Sequence, residues 1–393
     1  MSSKVKFTNP QRSTFFPTVR QRVESYFAEN NLSKHANQAM WVKTIFYLTG
    51  FVGLYLLILS NIAGPWTMLG LCLLLGVFNA FVGFNVCHDA IHGSFSANQK
   101  VNQALSFVFN LIGASPYIWR LSHNVVHHTY TNMPGHDEDI EIAPGLIRIS
   151  EEEPVNKIQR YQHLYAIAVY SLASLSWVFR KDYVKFFQKK IGEQVTGKHP
   201  RREYFNLFFY KGLYYFLFIA LPLLVLDITF GQFVLGFIAM HLAEGLVLGL
   251  VFQLAHVVEG TDFPLTNEAG NVEEAWADHQ MRTTANFSPD SPLASFLLGG
   301  LNRQIEHHLF PKVCHIHYPV IAKIVKQTAR EFNLPYIENP TFPLALQSHY
   351  RMLKQFGQQA YRRKSLQRAA PLVRKASPEV RVLRPLSRVP QNN

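Results

Sequence analysis

A chain of 393 residues can bury a large core, yet 48% of them are apolar and only 16% carry charge, proportions that favour a bilayer over a soluble interior. Aromatic residues at 13% fit that reading. The net charge of +12 would suit nucleic acid, but the basic residues gather at the chain ends and in polar loops, which argues for the cytoplasmic face of a membrane and no nucleic acid. Cys72, Cys87 and Cys314 form neither a disulfide framework nor a CxxC pair, so a reduced compartment is expected.

Residues 1–40 carry Lys4, Lys6, Arg12, Arg20, Arg22 and Lys34 and read as a cytoplasmic segment, with a short surface helix from about Thr18 to Glu29. They show no charged n-region followed by an apolar h-region, so no cleavable signal peptide is expected. Trp41 to Ile62 is apolar apart from Lys43 and long enough to cross about 30 Å of hydrocarbon. After the turn Ser60-Asn61-Ile62-Ala63-Gly64-Pro65, a second uncharged span runs from Trp66 to Cys87 and delivers His88. Phe205 to Leu226 and Phe230 to Ala255 are two further spans, separated by Asp227-Ile228-Thr229. The two tight connections contain no Lys or Arg, whereas the N-terminus, the 88–204 region and everything after His256 are rich in both. The positive-inside rule therefore places the long polar parts in the cytoplasm and predicts an all-α integral membrane fold of four spans in two hairpins. Asn102–Trp119 and Tyr161–Phe179 then become interfacial or re-entrant, because an odd extra crossing would separate the histidines. The tail, 358–393, carries Arg362, Arg363, Lys364, Arg368, Arg374 and further basic residues with several prolines, and reads as disordered, with anionic lipid as an alternative partner.

The histidines fall in groups on the expected cytoplasmic side. In Ser122-His123-Asn124-Val125-Val126-His127-His128, a helical segment would place His123 and His127 on one face with His128 beside them. His88-Asp89-Ala90-Ile91-His92 is a second i, i+4 pair, Gln304-Ile305-Glu306-His307-His308 sets Gln304 four before His308, and His256 follows the last span. These imidazoles are too many for one zinc, and nitrogen-rich sites of higher coordination suit two irons that meet dioxygen. Asp89, Asp137, Asp139, Glu141 and Glu306 could accept the second N–H of ligating histidines or serve as solvated loop charges. His315, His317 and His136 read as structural, and His35, His163, His199, His279 and His349 as ordinary surface residues.

His-Asp-Ala-Ile-His at 88–92, His-Asn-Val-Val-His-His at 123–128 and Gln-Ile-Glu-His-His at 304–308 resemble the three histidine boxes of the membrane fatty-acid desaturases. The glutamine opening the third box resembles the front-end branch, and Gly135-His136-Asp137, Ala255-His256-Val257, the 282–287 and 300–311 stretches and Cys314-His315-Ile316-His317-Tyr318-Pro319 extend the likeness from about residue 10 to 357. The resemblance implies a desaturase domain over 41–357 with a cytoplasmic helical cap holding a di-iron site. Its implied ligands are His88, His92, His123, His127, His128, His256, His307 and His308, with Gln304 in the box-opening position. It further implies O2-dependent insertion of a cis double bond into a fatty acyl chain on CoA or lipid, Δ6-like in position. His199-Pro200-Arg201 does not match the His-Pro-Gly-Gly motif of fused cytochrome b5 domains, so an external ferredoxin or cytochrome b5 is expected as electron donor. A hydroxylase on the same scaffold is the alternative within enzymes, and a histidine-rich metal transporter the alternative outside them. Within the fourth span, His241 and Glu244 are either a polar contact between helices or part of the acyl tunnel.

Overall fold

The computed structural model describes residues 5–150 and 155–376, and most of them are helical. Among the described residues four helices are long and apolar enough to cross a membrane, Gln38–Leu59, Pro65–His92, Arg201–Val225 and Phe230–His256. Their ends are set by local chemistry. The Asn37 side chain caps the first by accepting from the Met40 N–H. Pro65 opens the second in the first-turn position where its missing N–H costs nothing. Thr229 and Gln232 form a reciprocal capping box at the start of the fourth. Trp66, Leu224 and Phe230 are at least 70% exposed, the aspect of side chains meant for lipid.

The two tight connections lie side by side, because the Asn61 side chain donates to the Val225 carbonyl at 2.7 Å and accepts from the Asp227 N–H at 3.1 Å. The second and fourth spans both start from this end and run in the same direction. They also pack closely: a Cβ on Gly76 would come within 2.0 Å of the Met240 carbonyl oxygen, so only glycine permits the approach. Both helices therefore finish at the same end of the bundle, one with His88 and His92, the other with His256.

The second span was expected to stop at Cys87. It continues instead through His92, so the first histidine pair forms its last turn. The intervening residues Gly83–Cys87 are π-helical, with the His88 N–H bonded to the Gly83 carbonyl, and this wider turn resets which face the histidines occupy. The stretches expected to be interfacial or re-entrant are not among these four candidate spans. Gln99–Leu111 ends at Gly113, whose φ of 89° breaks the helix, and Gln162–Ser171 is followed by shorter helical pieces to Phe187.

The helix near the N-terminus, Phe15–Glu29, is not merely superficial. Phe15, Val19, Val23 and Phe27 recur every fourth residue and pack with Ile305, Leu309, Ile321 and Val325 beneath the third histidine box. Lys6–Phe7 pairs in parallel with Asn271–Val272, tying the N-terminal segment to the loop after the fourth span. The helix Phe342–Ala376 enters the stretch read as a tail; residues 377–393 of that tail lie outside the described residues.

Candidate metal centre

The residues carrying the second box, Arg120–His127, are also π-helical, and the His128 N–H reaches back to the His123 carbonyl. In an i to i+5 turn, residues four and five ahead flank the same line along the helix. His127 and His128 accordingly both sit beside His123, each with ring centroids 4.9 Å away. Box three is one short helix, Gln304–Leu309, every residue of which is buried.

All nine expected site residues meet in one place, and all are buried. The ligand atoms of His88, His92, His123 and His307 lie within 4.8 Å of one another, as do those of His127, His256 and His308. His128 joins the two sets, grouped with His307 and His308 by the same measure. The Gln304 amide nitrogen stands 3.0 Å from His256 Nε2 and 3.3 Å from His308 Nε2, in the second group.

Buried ring nitrogens without partners are costly unless something else is meant to bind them. Here Nε2 of His88, His92, His123, His127, His128 and His307 has no hydrogen-bond partner, nor has Nδ1 of His88 and His128. Such a set of convergent, unsatisfied imidazoles fits metal ions. Several opposite nitrogens are held: His127 Nδ1 donates to Asp137 Oδ2 at 2.8 Å, His308 Nδ1 to Gln280 Oε1 at 2.7 Å, and His123 Nδ1 lies 3.4 Å from Asp139 Oδ2. His307 Nδ1 is 3.2 Å from the Tyr318 hydroxyl, and His256 Nδ1 is 3.4 Å from the Thr283 carbonyl. A partner on Nδ1 fixes the tautomer and leaves Nε2 free to ligate.

The electrostatics agree. Burial pushes His123 down to about 3, against the opposing pull of Asp139, and pushes His128, His307 and His308 well below the ordinary histidine value. These rings are neutral at pH 7, the form that binds metal. Burial alone would raise Asp139, but Lys185, Lys181 and His123 hold it well below the usual carboxylate range.

Of the expected outer acceptors, Asp137 and Asp139 reach imidazoles of the cluster. Asp89 instead accepts from the N–H and Nδ1 of His315, whose Nε2 meets Lys43 Nζ at 3.0 Å, so both nitrogens of that ring are engaged. Glu306 turns away to Tyr336 and Asn286, and burial raises its carboxyl to about 7. His279 and His349 are not surface residues: each is buried, with both ring nitrogens engaged. Gln280, Tyr318 and Thr283 were not foreseen as partners of the cluster. Their only sequence signal is position, just before or within stretches that accompany the boxes.

A cavity of about 1160 Å³, including its open mouth, passes along the cluster. His88, His123 and Gln304 line one side of it, and Phe84, Phe109, Trp119, Trp177, Leu248 and Phe252 supply apolar walls. It does not reach His241, whose ring bonds Ser174 Oγ at 2.8 Å and Tyr214 at 3.0 Å. Glu244, one turn on, accepts from Asn79 and borders a smaller space adjoining the cavity.

Comparison with known proteins gives one consistent answer. The acyl-lipid (8-3)-desaturase of Physcomitrium patens is 37% identical over 360 residues, covering 91% of this chain and 75% of that protein. The sn-1 linoleoyl-lipid 6-desaturase of a Synechocystis species is 35% identical, covering 91% of this chain and 98% of the relative. The protein of the same description from Arthrospira platensis is 33% identical, with 90% and 95% covered. The fatty acid desaturase family matches residues 64–340, which take in the three boxes and three of the four spans, and the chain belongs to that family.

Proposed function

We propose that this membrane oxidoreductase is a front-end acyl-lipid desaturase that places a cis double bond on the carboxyl side of an existing one, Δ6-like in position. The observation that carries the reading is the apolar cavity running past His88, His123 and Gln304, because it lets a lipid tail lie against the metal-facing wall. Relatives that match nearly end to end are described as 6-desaturases of linoleoyl lipids.

The cluster would hold two irons. His88, His92, His123 and His307 form one ligand set and His127, His256 and His308 the other, with His128 between them. Gln304 would ligate only with its amide turned over, since the nitrogen that faces His256 and His308 has no lone pair to give; as it stands it is an outer partner of the second set. When bound, such a pair of irons supplies the O2-dependent chemistry that removes two hydrogens from unactivated methylenes. The protein's own part is positional. Trp119 stacks on His123 with centroids 4.1 Å apart and holds that ring against the cavity wall. Asp137, Asp139, Gln280 and Tyr318 keep the Nδ1 sides of four ligands occupied. The apolar walls exclude water and restrict which methylene comes near the cluster. Two hairpins would bring the histidines to the cytoplasmic face, where the basic surface suits an acidic ferredoxin or cytochrome b5.

The test is expression in a host supplying such a donor, feeding of linoleate and oleate, and location of new double bonds by mass spectrometry. A new Δ6 bond is expected; a hydroxylated product would overturn the reaction, and a bond on the methyl side of the existing one would overturn the front-end assignment. The purified protein should carry close to two irons per chain, and a single tightly bound zinc would sink the di-iron reading.

A further inference from the structure

We propose that Lys181 holds the ester carbonyl oxygen of the acyl substrate among the charged residues of the cavity and thereby fixes how far from the carboxyl end the double bond is placed. The inference rests on the reading of the cavity as an acyl site and names its head-group anchor.

Besides His88, Ser122, His123 and Gln304, the cavity is lined by the charged residues Asp139, Lys181, Asp182 and Lys185. Ala173, Ser176, Trp177, Lys181, Asp182 and Lys185 line it from a single helical stretch at i, i+3 and i+4 spacing, so its wall follows that stretch for roughly 18 Å. Apolar and small residues lead, and the charged ones come last. At the charged end three lysines face two carboxylates. Lys211 is matched to Asp182 at 2.9 Å, and buried Lys185 to Asp139 at 2.7 Å. Asp182 is further fixed by the Ser115 N–H at 2.8 Å and the Trp177 indole N–H at 2.9 Å. Lys181 is the more loosely paired cation: it stands 3.6 Å from an Asp139 oxygen that Lys185 holds at 2.7 Å, and its Nζ is 5.6 Å from the centre of the Trp177 ring. Its side chain is 32% exposed, against 5% for Lys185, so it is the cation that an entering molecule meets.

Asp139 links this cation to the metal-facing wall. The other Asp139 oxygen lies 3.4 Å from His123 Nδ1, so a single carboxylate separates Lys181 from an imidazole of the cluster. An extended acyl chain advances about 1.3 Å per bond given C–C lengths near 1.5 Å, so its first six carbons cover only about 6 Å. The remaining, longer arm runs toward the apolar walls. Gly83, Phe109, Trp177 and Leu248 are shared with a narrow adjoining space lined also by Ile112, Ala114, Val178, Ser174 and Glu244. An ammonium donating to a carbonyl oxygen at Lys181 would hold the short arm taut.

The oxygen ester of a glycerolipid and the thioester of CoA present the same carbonyl, so the experiment carries both. Full-length parent, Lys181→Met and Lys181→Arg are purified with their iron content measured, then supplied with linoleoyl phosphatidylcholine in vesicles or with linoleoyl-CoA. Lys181→Met is expected to keep its iron, raise KM about tenfold and spread the new bond over neighbouring positions, and Lys181→Arg to restore a single position. The substrate on which KM rises identifies the carrier. An iron-loaded Lys181→Met that is inactive while Lys181→Arg works supports the anchor equally. An unchanged KM with a single unshifted position, or an arginine variant no better than methionine, overturns it. A parent that makes no double bond on either substrate sinks the reading of the cavity itself, a different result from a working parent indifferent to Lys181.

Discussion

Two buried polar clusters sit within this bundle, and both contain histidine. At the bundle end, ring nitrogens converge and at least one nitrogen of most rings lacks a partner. Within the span region, His241 has Ser174 on one nitrogen and Tyr214 on the other, and Glu244 stands 3.9 Å away. Burial and residue type are the same in both places; the difference lies in the partners. His241 meets a hydroxyl on each nitrogen, whereas six rings of the cluster have an Nε2 with no partner and His256 and His308 meet only the Gln304 amide nitrogen there. His279, His315 and His349 fall on the satisfied side although His315 lies seven residues from the third box.

The sharpest way to break this distinction is at His128, whose two ring nitrogens both lack partners. Removing it forfeits no side-chain hydrogen bond, so His128→Ala should abolish turnover and lower iron content while membrane insertion stays intact. Retained turnover in an acyl-chain assay would show that the cluster is not the reacting centre. A smaller effect is expected one layer out. Asp137→Asn keeps the shape but loses the charged acceptor of His127 Nδ1, and outer partners of this kind are worth about 10- to 100-fold in metal affinity or activity. Iron retained under chelator challenge reads this directly, and parental retention would remove Asp137 from the account. On the satisfied side, His241→Ala strands the Ser174 and Tyr214 hydroxyls and should cost about 1–3 kcal/mol of stability. Its iron content should equal the parent's; lost iron would mean that the two clusters are one system.

How much of this was legible beforehand follows from the kind of signal each part leaves. The spans were visible because about twenty apolar residues leave little ambiguity, and the fourfold spacing of His88 with His92 and His123 with His127 marks a shared face. The π-turns at Gly83–Cys87 and Arg120–His127 were not visible, because one extra residue per turn leaves no periodicity over so short a stretch. The two turns nonetheless decide the site, since they place His128 with His127 and rotate His88 into the cluster. Charge near the boxes was a mixed guide. Asp137 and Asp139 do reach imidazoles, but Asp89 and Glu306, each flanked by a histidine of the cluster in sequence, turn to His315 and Tyr336. Adjacent residues on a helix point about a quarter-turn or more apart, so sequence neighbours are poor candidates for hydrogen-bond partners. Gln280 comes from a separate loop helix, and only tertiary packing brings it to His308.

The smallest expected effect concerns His349, a satisfied histidine far from the boxes in sequence. Burial pushes it down to about 4, opposed by its bond to the Val257 carbonyl, so it stays neutral in the folded protein. The unfolded chain takes up a proton near the ordinary value of about 6.5, so below that pH the unfolded state binds more protons and stability falls as pH falls. Between pH 7 and 5 this one group should remove about 2 kcal/mol. Other buried histidines titrate in the same direction, and protonation will also release metal, so the parent's own pH profile cannot isolate it. The difference can. His349→Gln keeps a donor and an acceptor near Tyr170 and Val257 but has no proton to gain. It should start lower than the parent at pH 7 and lose less of its thermal midpoint on acidification. Parallel profiles for the two proteins would show that His349 is already solvated or protonated in the folded state, and would remove it from the set of imidazoles that packing alone keeps neutral.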